Sequence, residues 1–294
     1  MRLLGSRKVY LAYLAVLRFL FGLRGENEGI RIMEEDWDHL IVLDACRYDY
    51  FERLNELGGR LFRRTSIAST TAEWLKRNFP GYYGDVVYVS ANPFVSNVEF
   101  QGFKGYEHFF KVEPVWDYGW SEETGTVHPK VVVDSALRIR EEHPDKRLIV
   151  HFLQPHAPYI GSTRIARSDL GISGGAKEEV INLIWAKVRR GEIPIEKLKR
   201  AYEDNLRLVM GEVKRLVEGL SGKIVVTADH GECFGEHGVY GHDWGIYFKE
   251  LVEVPWLEIK KGERLEAKWE ERESGELSDE EKIRRRLKAL GYLD

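Results

Sequence analysis

With 294 residues, 43% of them apolar, the chain is long enough for one large α/β domain or for a core domain with a small appendage. Its 44 basic and 48 acidic side chains leave a net charge of −4, which excludes the broad basic field that nucleic-acid recognition needs. Two cysteines, Cys46 and Cys233, stand far apart with no CxxC pair, so neither a disulfide framework nor a structural zinc site is indicated, and a reducing, cytoplasmic setting is expected. Near the N-terminus, Arg2, Arg7 and Lys8 precede an apolar run at 9–17, which Arg18 interrupts before a second run at 19–23. No small-residue cleavage site follows, and the segment falls short of the roughly 20 residues a spanning helix needs. Residues 1–25 are expected to form a helix packed on the main domain, with peripheral membrane contact through residues 9–23 as the alternative.

After a polar joint at 24–38, the apolar run 39–43 ends at Asp44 and reads as a first strand. Helical spacing through Tyr48, Phe51, Leu54 and Leu57 ends at Gly58–Gly59. The small and hydroxylated residues 66–71 lead into an amphipathic helix at 72–79, which places Thr70 and Thr71 at a helix N-terminus. A strand at 85–90 is followed by an aromatic-rich stretch, 92–120, expected to be irregular and to form a packed wall, with some rings lining a cleft. A helix at 131–142 and a strand at 147–153 run into Gln154-Pro155-His156. Residues 161–175 read as a surface loop, 177–189 and 195–218 as helices, and 223–228 as a buried strand. Pro255 inside the strand 251–259 predicts an edge position. The tail from Lys260 is nearly all charge, and Ser278-Asp-Glu-Glu281 makes a capping box for a short helix through Leu290. The expected organisation is therefore an N-terminal helix (1–25), a catalytic domain (26–260) and a charged helical tail (261–294).

The densest cluster of chemistry lies in 224–245, where the strand ends at Asp229-His230-Gly231 and Glu232, Glu236, His237, His242 and Asp243 follow within a glycine-rich loop. Three histidines and several carboxylates directly after a buried strand suit a divalent metal better than a plain solvated loop. In a parallel sheet the carboxyl ends of strands share one edge, so Asp44, His156 and Asp229-His230 are expected to converge. Taken singly, Asp44 could cap the next helix, His156 could fill a stiff turn and Thr70 and Thr71 could be ordinary caps; jointly they suit a phosphoryl or sulfuryl group held at a helix N-terminus.

Four blocks, VLDACRYD at 42–49, STTAEWLKRNFPG at 69–81, HFLQPHAPY at 151–159 and TADHGECFGEHGVYGH at 227–242, resemble the alkaline phosphatase superfamily, in particular its sulfatase-like branch of sulfatases, phosphodiesterases and lipid-head-group phosphotransferases. The resemblance implies a three-layer α/β sandwich with a mostly parallel central sheet flanked by helices. It makes Asp44, Asp229 and His230 metal ligands, with the nucleophilic hydroxyl of Thr71, or Thr70 in reserve, completing the coordination. His156 and His242, with Asp243, match positions that hold a second metal or the transferred group. One or two divalent ions are implied, with zinc, manganese, magnesium and calcium all open. No C/S-x-P-x-R motif occurs near Thr71, which disfavours a formylglycine sulfatase. The branch's two-metal enzymes carry an Asp three or four residues before the His of the third block, whereas Gln154 and Pro155 stand just ahead of His156 here. The activity implied is hydrolysis or transfer of phosphoric esters, mono- or diester, on small or lipid- or glycan-linked substrates through a threonine nucleophile and a covalent phospho-enzyme. The alternatives are a sulfuric ester hydrolase using an unmodified hydroxyl, or a catalytically idle binding module. Glu236 and His237 are expected to be loop structure, and Cys233 a bystander.

Overall fold

The computed structural model describes residues 6–165, 180–273 and 279–292. In chain order the elements are α1 (Arg7–Gly22), β1 (His39–Asp44), α2 (Tyr48–Leu54), β2 (Arg60–Thr65), α3 (Thr71–Asn78), β3 (Tyr83–Ser90), β4 (Phe109–Pro114), α4 (Val115–Tyr118), β5 (Trp120–Ser121), β6 (Thr126–Val127), α5 (Pro129–Glu142) and β7 (Arg147–Pro155). They continue with α6 (Val180–Arg190), α7 (Ile195–Gly219), β8 (Gly222–Ala228), β9 (Cys233–Phe234), β10 (Tyr240–Gly241), α8 (Lys249–Val252), β11 (Glu253–Lys261) and α9 (Glu280–Ala289). Seven strands form one sheet in the order β2-β11-β8-β1-β7-β3-β4. All its pairings are parallel except those of β11, which runs antiparallel to both β8 and β2. The molecule is thus an α/β protein with a mostly parallel sheet flanked by helices, as the sequence leads one to expect.

β1 lies at the centre, and every one of its residues is buried, as a strand covered on both faces requires. α5 and α7 pack on each other and on β7. The apolar stripe of α7, from Leu198 and Tyr202 through Leu206, Val209 and Val213 to Leu216, follows a helical period along that contact. α1 packs through Tyr10, Leu14 and Leu17 on a second apolar cluster that contains Cys233, Val239, Ile246 and Leu251. The Tyr10 hydroxyl donates to the Tyr240 carbonyl and accepts from its N–H, and Tyr13 donates to the His237 carbonyl. The N-terminal helix therefore braces the loop after β8, while Val9, Leu11, Val16, Phe19, Leu20 and Leu23 face outward.

Several expectations are corrected. Pro255 does not mark an edge, because β2, a strand the sequence conceals behind four polar side chains in six residues, covers β11 on its outer side. Pro255 precedes the ladder between β11 and β8, which starts at Trp256, so its missing N–H interrupts no bond there. The stretch 92–120 is not wholly irregular, since β4 extends the sheet inside it; most of its rings are buried, as packing requires. Asp279 caps α9, accepting from the N–H groups of Glu281 and Lys282, while Ser278, the first residue of the expected capping box, lies outside the described residues. Most of the expected surface loop at 161–175 and the first residues of the helix expected at 177–189 also lie outside them.

Candidate metal centre

The site is assembled where the parallel strands end. β1 delivers Asp44, and the turn after β8 delivers Asp229 and His230 from the adjacent strand. Gly231 lets that turn pass close to the Glu250 carbonyl, where a Cβ would collide, and its N–H donates to Leu251. Thr71 enters from the first turn of α3. Its Oγ1 donates to Asp229 Oδ2 at 2.7 Å and lies 3.3 Å from His230 Nε2. His230 Nε2 is in turn 3.6 Å from Asp44 Oδ1 and 3.4 Å from Asp229 Oδ2. Asp229 Oδ1 accepts from the N–H groups of Ala45 and His230, which fixes the carboxylate and turns Oδ2 toward the threonine. A further imidazole, His151 of β7, places Nε2 4.0 Å from Asp229 Oδ2 while its Nδ1 meets the Tyr88 hydroxyl at 2.8 Å.

A second cluster adjoins the first. Potential ligand atoms of His156, Glu232 and His242 lie within 4.8 Å of one another, and the His242 ring is 4.3 Å from that of His230 and 5.3 Å from that of His156. Glu232 Oε1 accepts from His242 Nδ1 at 2.9 Å. The loop is held by Arg47, which is nearly buried and donates to the Glu232 carbonyl and to the carboxylates of Asp49 and Glu236. In both His156 and His230, Nδ1 faces a backbone carbonyl, at 2.6 and 2.8 Å. A carbonyl only accepts, so Nδ1 carries the proton and Nε2 presents a lone pair, the state a metal ligand requires.

The electrostatics describe a buried cluster short of positive charge. Burial first, and then the Asp229 charge, push Asp44 well above the usual carboxylate range. Burial opposes ionisation of Asp229 too, but His230, His151 and the Thr71 hydroxyl hold it below its usual value. Burial raises Glu232 to about 7 and lowers His151, His156 and His242 to about 4, so these imidazoles are neutral at pH 7. Asp44 Oδ1, His151 Nε2 and Glu232 Oε2 are buried without a partner among the described residues. Unpaired buried carboxylates cost several kcal/mol each, and neutral imidazoles do not offset them. Carboxylates and imidazoles with free lone pairs converging in a closed space fit a divalent cation.

Asp44, Thr71, Asp229 and His230 are therefore brought together, and His156 and His242 face each other beside them. Asp44 caps no helix, since α2 begins after Arg47. Thr70 is the cap of α3, its Oγ1 accepting from Glu73 N at 3.4 Å, and it does not join Thr71 in the cluster. Asp243 turns away, its carboxylate taken by Arg18 of α1 at 2.5 Å. Glu236 is held by Arg47, and His237 is stacked on Phe248 beside Glu250. His151 and Glu232 are members that sequence reasoning missed, although both stand inside motifs it had singled out. Asn92 and Tyr292, which bond to Asp44 Oδ2, carried no signal.

Fold and site together define an α/β protein with a buried carboxylate–imidazole centre at the carboxyl edge of its sheet. No family model and no curated protein matches the chain. Among solved structures it is similar to the soluble domain of lipooligosaccharide phosphoethanolamine transferase A from Neisseria meningitidis (14% identity, TM-score 0.48, 75% of each chain). It is also similar to the zinc complex of the C-terminal periplasmic domain of EcEptC from Escherichia coli (13%, TM-score 0.48, 80% of this chain and 76% of that one). A 2-O GAG sulfatase is a further neighbour (12%, TM-score 0.45, 79% of this chain and 65% of that one). At these identities the likeness is one of fold, and the chemistry has to be read from the site's own residues. One expectation is corrected by these neighbours: the cytoplasmic setting does not stand beside structures named as periplasmic domains. Cys46 and Cys233, which suggested it, are both buried in packed apolar clusters and report on packing rather than on compartment. Among the described residues no helix is long and apolar enough to cross a membrane.

Proposed function

We propose that the protein is a metal-dependent enzyme acting on phosphoric esters, by transfer or hydrolysis, with Thr71 as nucleophile and a covalent phosphothreonine. The observation that carries this reading is the Thr71 hydroxyl, set in the first turn of α3 and directed into a cluster of Asp44, Asp229 and His230. When bound there, a divalent cation supplies a lowered hydroxyl pKa and neutralises charge on the phosphoryl oxygens. Asp44, Asp229 and His230 would hold it, with His151 behind them. Thr71 sits at the N-terminus of α3, the positive end of the helix dipole, which favours negative charge there.

With its proton released to water, Thr71 Oγ1 attacks phosphorus and forms the new P–O bond as the bond to the leaving oxygen breaks. His156 and His242, neutral at pH 7 with the proton on Nδ1, present Nε2 only as an acceptor, so they orient the leaving group once its oxygen carries a proton. Glu232, raised to about 7, is about half-protonated at neutrality, and with Oε1 engaged by His242 its proton sits on Oε2 for delivery to the leaving group. Water, or an acceptor hydroxyl in a transferase, then attacks phosphorus and regenerates the threonine. The same cradle admits a sulfuryl group, so sulfate esters are the second substrate class. The outward apolar face of α1, with Arg7 and Lys8 at its start, supports a lipid-linked substrate presented at a membrane surface.

Elemental analysis of the purified protein, paired with turnover of nitrophenyl phosphate, bis(nitrophenyl) phosphate and nitrophenyl sulfate, tests the proposal. Bound zinc or manganese with phosphate-ester turnover that chelation abolishes is expected. Absence of metal and of all three activities refutes it in favour of a binding module.

A further inference from the structure

Part of the charged tail, α9, packs on the domain. Ile283, Leu287 and Leu290 of α9 are buried in the main core, and Arg286, itself buried, donates to the carbonyls of Trp116 and Asp117. Lys282 adds an ion pair with the Asp117 carboxylate. α9 then stops in a defined way: Gly291 takes a positive φ of 80°, its N–H donates to the Lys288 carbonyl, and the N–H of Tyr292 donates back to Leu287. This glycine-terminated closure turns the chain sharply at the helix end. Its product is the placement of Tyr292. The Tyr292 hydroxyl donates to Asp44 Oδ2 at 2.7 Å, and its ring stacks on His156 with centroids 5.5 Å apart and planes 17° apart. Asn92 Nδ2 donates to the same Asp44 oxygen at 3.0 Å and lies 3.3 Å from the tyrosine oxygen. Phe94 packs against the Tyr292 ring as well, with centroids 4.8 Å apart.

The consequence concerns Asp44. Two donors share its Oδ2, whereas its Oδ1 has no hydrogen-bond partner among the described residues and faces His230. A carboxylate pinned through one oxygen has its other oxygen aimed, which is how outer groups orient ligands in metal sites. We propose that Tyr292 is a positioning residue of the metal centre: delivered by the C-terminal helix, its hydroxyl acts with Asn92 to aim Asp44 Oδ1 at the cation, while its ring fixes the plane of His156. The site is thus completed by a residue more than thirty positions beyond the last strand. This inference rests on the metal reading of the site.

Calorimetric titration of the metal-stripped full-length protein with Zn²⁺, checked by chelator competition, tests it. Tyr292→Phe keeps the ring and removes the hydroxyl, and its Zn²⁺ affinity is expected to fall about 10- to 100-fold, the usual effect of losing an outer partner of a ligand. The melting temperature of the metal-free protein should fall by a few degrees at most, as loss of one buried hydrogen bond implies, and the visible spectrum of the Co²⁺ form should shift because Asp44 is reoriented. Arg286→Ala, which releases the anchor of α9, should weaken Zn²⁺ binding in the same direction. Unchanged affinity and spectrum in Tyr292→Phe overturn the proposal. Tighter binding also overturns it, because the hydroxyl would then be competing with the cation. A parent protein that binds no metal removes the underlying reading of the site, and this inference with it.

Discussion

Replacing Thr71 by alanine separates chemistry from architecture, because its neighbour Thr70 supplies the structural control. Thr71 donates its hydrogen bond to a buried carboxylate, and losing a bond to a charged group costs about 1.5–3 kcal/mol. Asp229 keeps two backbone donors on its other oxygen, which places the stability loss at the low end of that range. As nucleophile, by contrast, Thr71 contributes the attacking atom, and deletions of that kind reduce kcat on the order of 10⁴-fold or more, about 5.5 kcal/mol of activation free energy. Thr70→Ala removes only a long capping bond, costs about 0.5–1 kcal/mol, and lowers the melting temperature by about 2 °C in a chain of this size. Turnover of nitrophenyl phosphate and bis(nitrophenyl) phosphate, read beside thermal melts, compares the two variants. Thr71→Ser, which keeps the hydroxyl, should recover most of the activity. A Thr71→Ala protein with a tenth or more of the parent kcat, or a loss confined to Thr70→Ala, refutes the assignment.

Asp44→Asn and Asp229→Asn should each lower bound metal to substoichiometric levels and abolish turnover while leaving the circular dichroism spectrum intact; full metal content in both variants would remove these residues from the centre. Metal uptake should release protons, because Asp44 is pushed well above the carboxylate range while the nearby imidazoles, lowered to about 4, hold none near neutrality. Apparent affinity should therefore rise with pH, and calorimetry in buffers of different ionisation enthalpy counts the protons; an affinity that is flat with pH contradicts the burial-driven shift. Phe19→Ser with Leu20→Ser, on the outward face of α1, should weaken flotation with vesicles containing anionic lipid and leave the melting temperature unchanged. Equal flotation of parent and variant would exclude this helix as the membrane contact.

What the sequence made legible follows from where signals are local. Asp44 and Asp229 end apolar runs, so the strand and its ligand are read together, and a shared strand edge follows from the α/β rhythm. His151 escaped because it lies inside its strand, where an imidazole resembles any other inward side chain. Glu232 and Glu236 stand four residues apart in one acidic loop with nothing local to rank them. Only the fold shows that Arg47, just beyond the end of β1, takes Glu236 and leaves Glu232 facing the histidines. β2 was hidden because four of its six residues are polar, and its two apolar side chains, Leu61 and Phe62, are adjacent rather than alternating. Tyr292 follows a run of charge whose purpose is visible only once Arg286 and Lys282 are seen anchoring α9.

The number of ions the site takes turns on Glu232. The sequence leaves a second metal in doubt because Gln154 and Pro155, not an acid, precede His156. The structure gives that glutamine other work: its side-chain amide donates to Thr126 Oγ1 and the Val127 carbonyl, beside the β5–β6 hairpin. The carboxylate beside His156 and His242 comes instead from the loop after β8, so the second cluster has an acid after all, supplied by a different strand end. Raised to about 7, Glu232 is balanced between two roles that exclude each other. With a single ion beside Asp44, it retains a proton on Oε2 and can serve a leaving group. With a second ion it must ionise and become a ligand, releasing one further proton. Proton release on metal uptake thus discriminates the two arrangements: below about pH 7, Glu232→Gln lowers the count if Glu232 coordinates and leaves it unchanged if Glu232 serves as the acid.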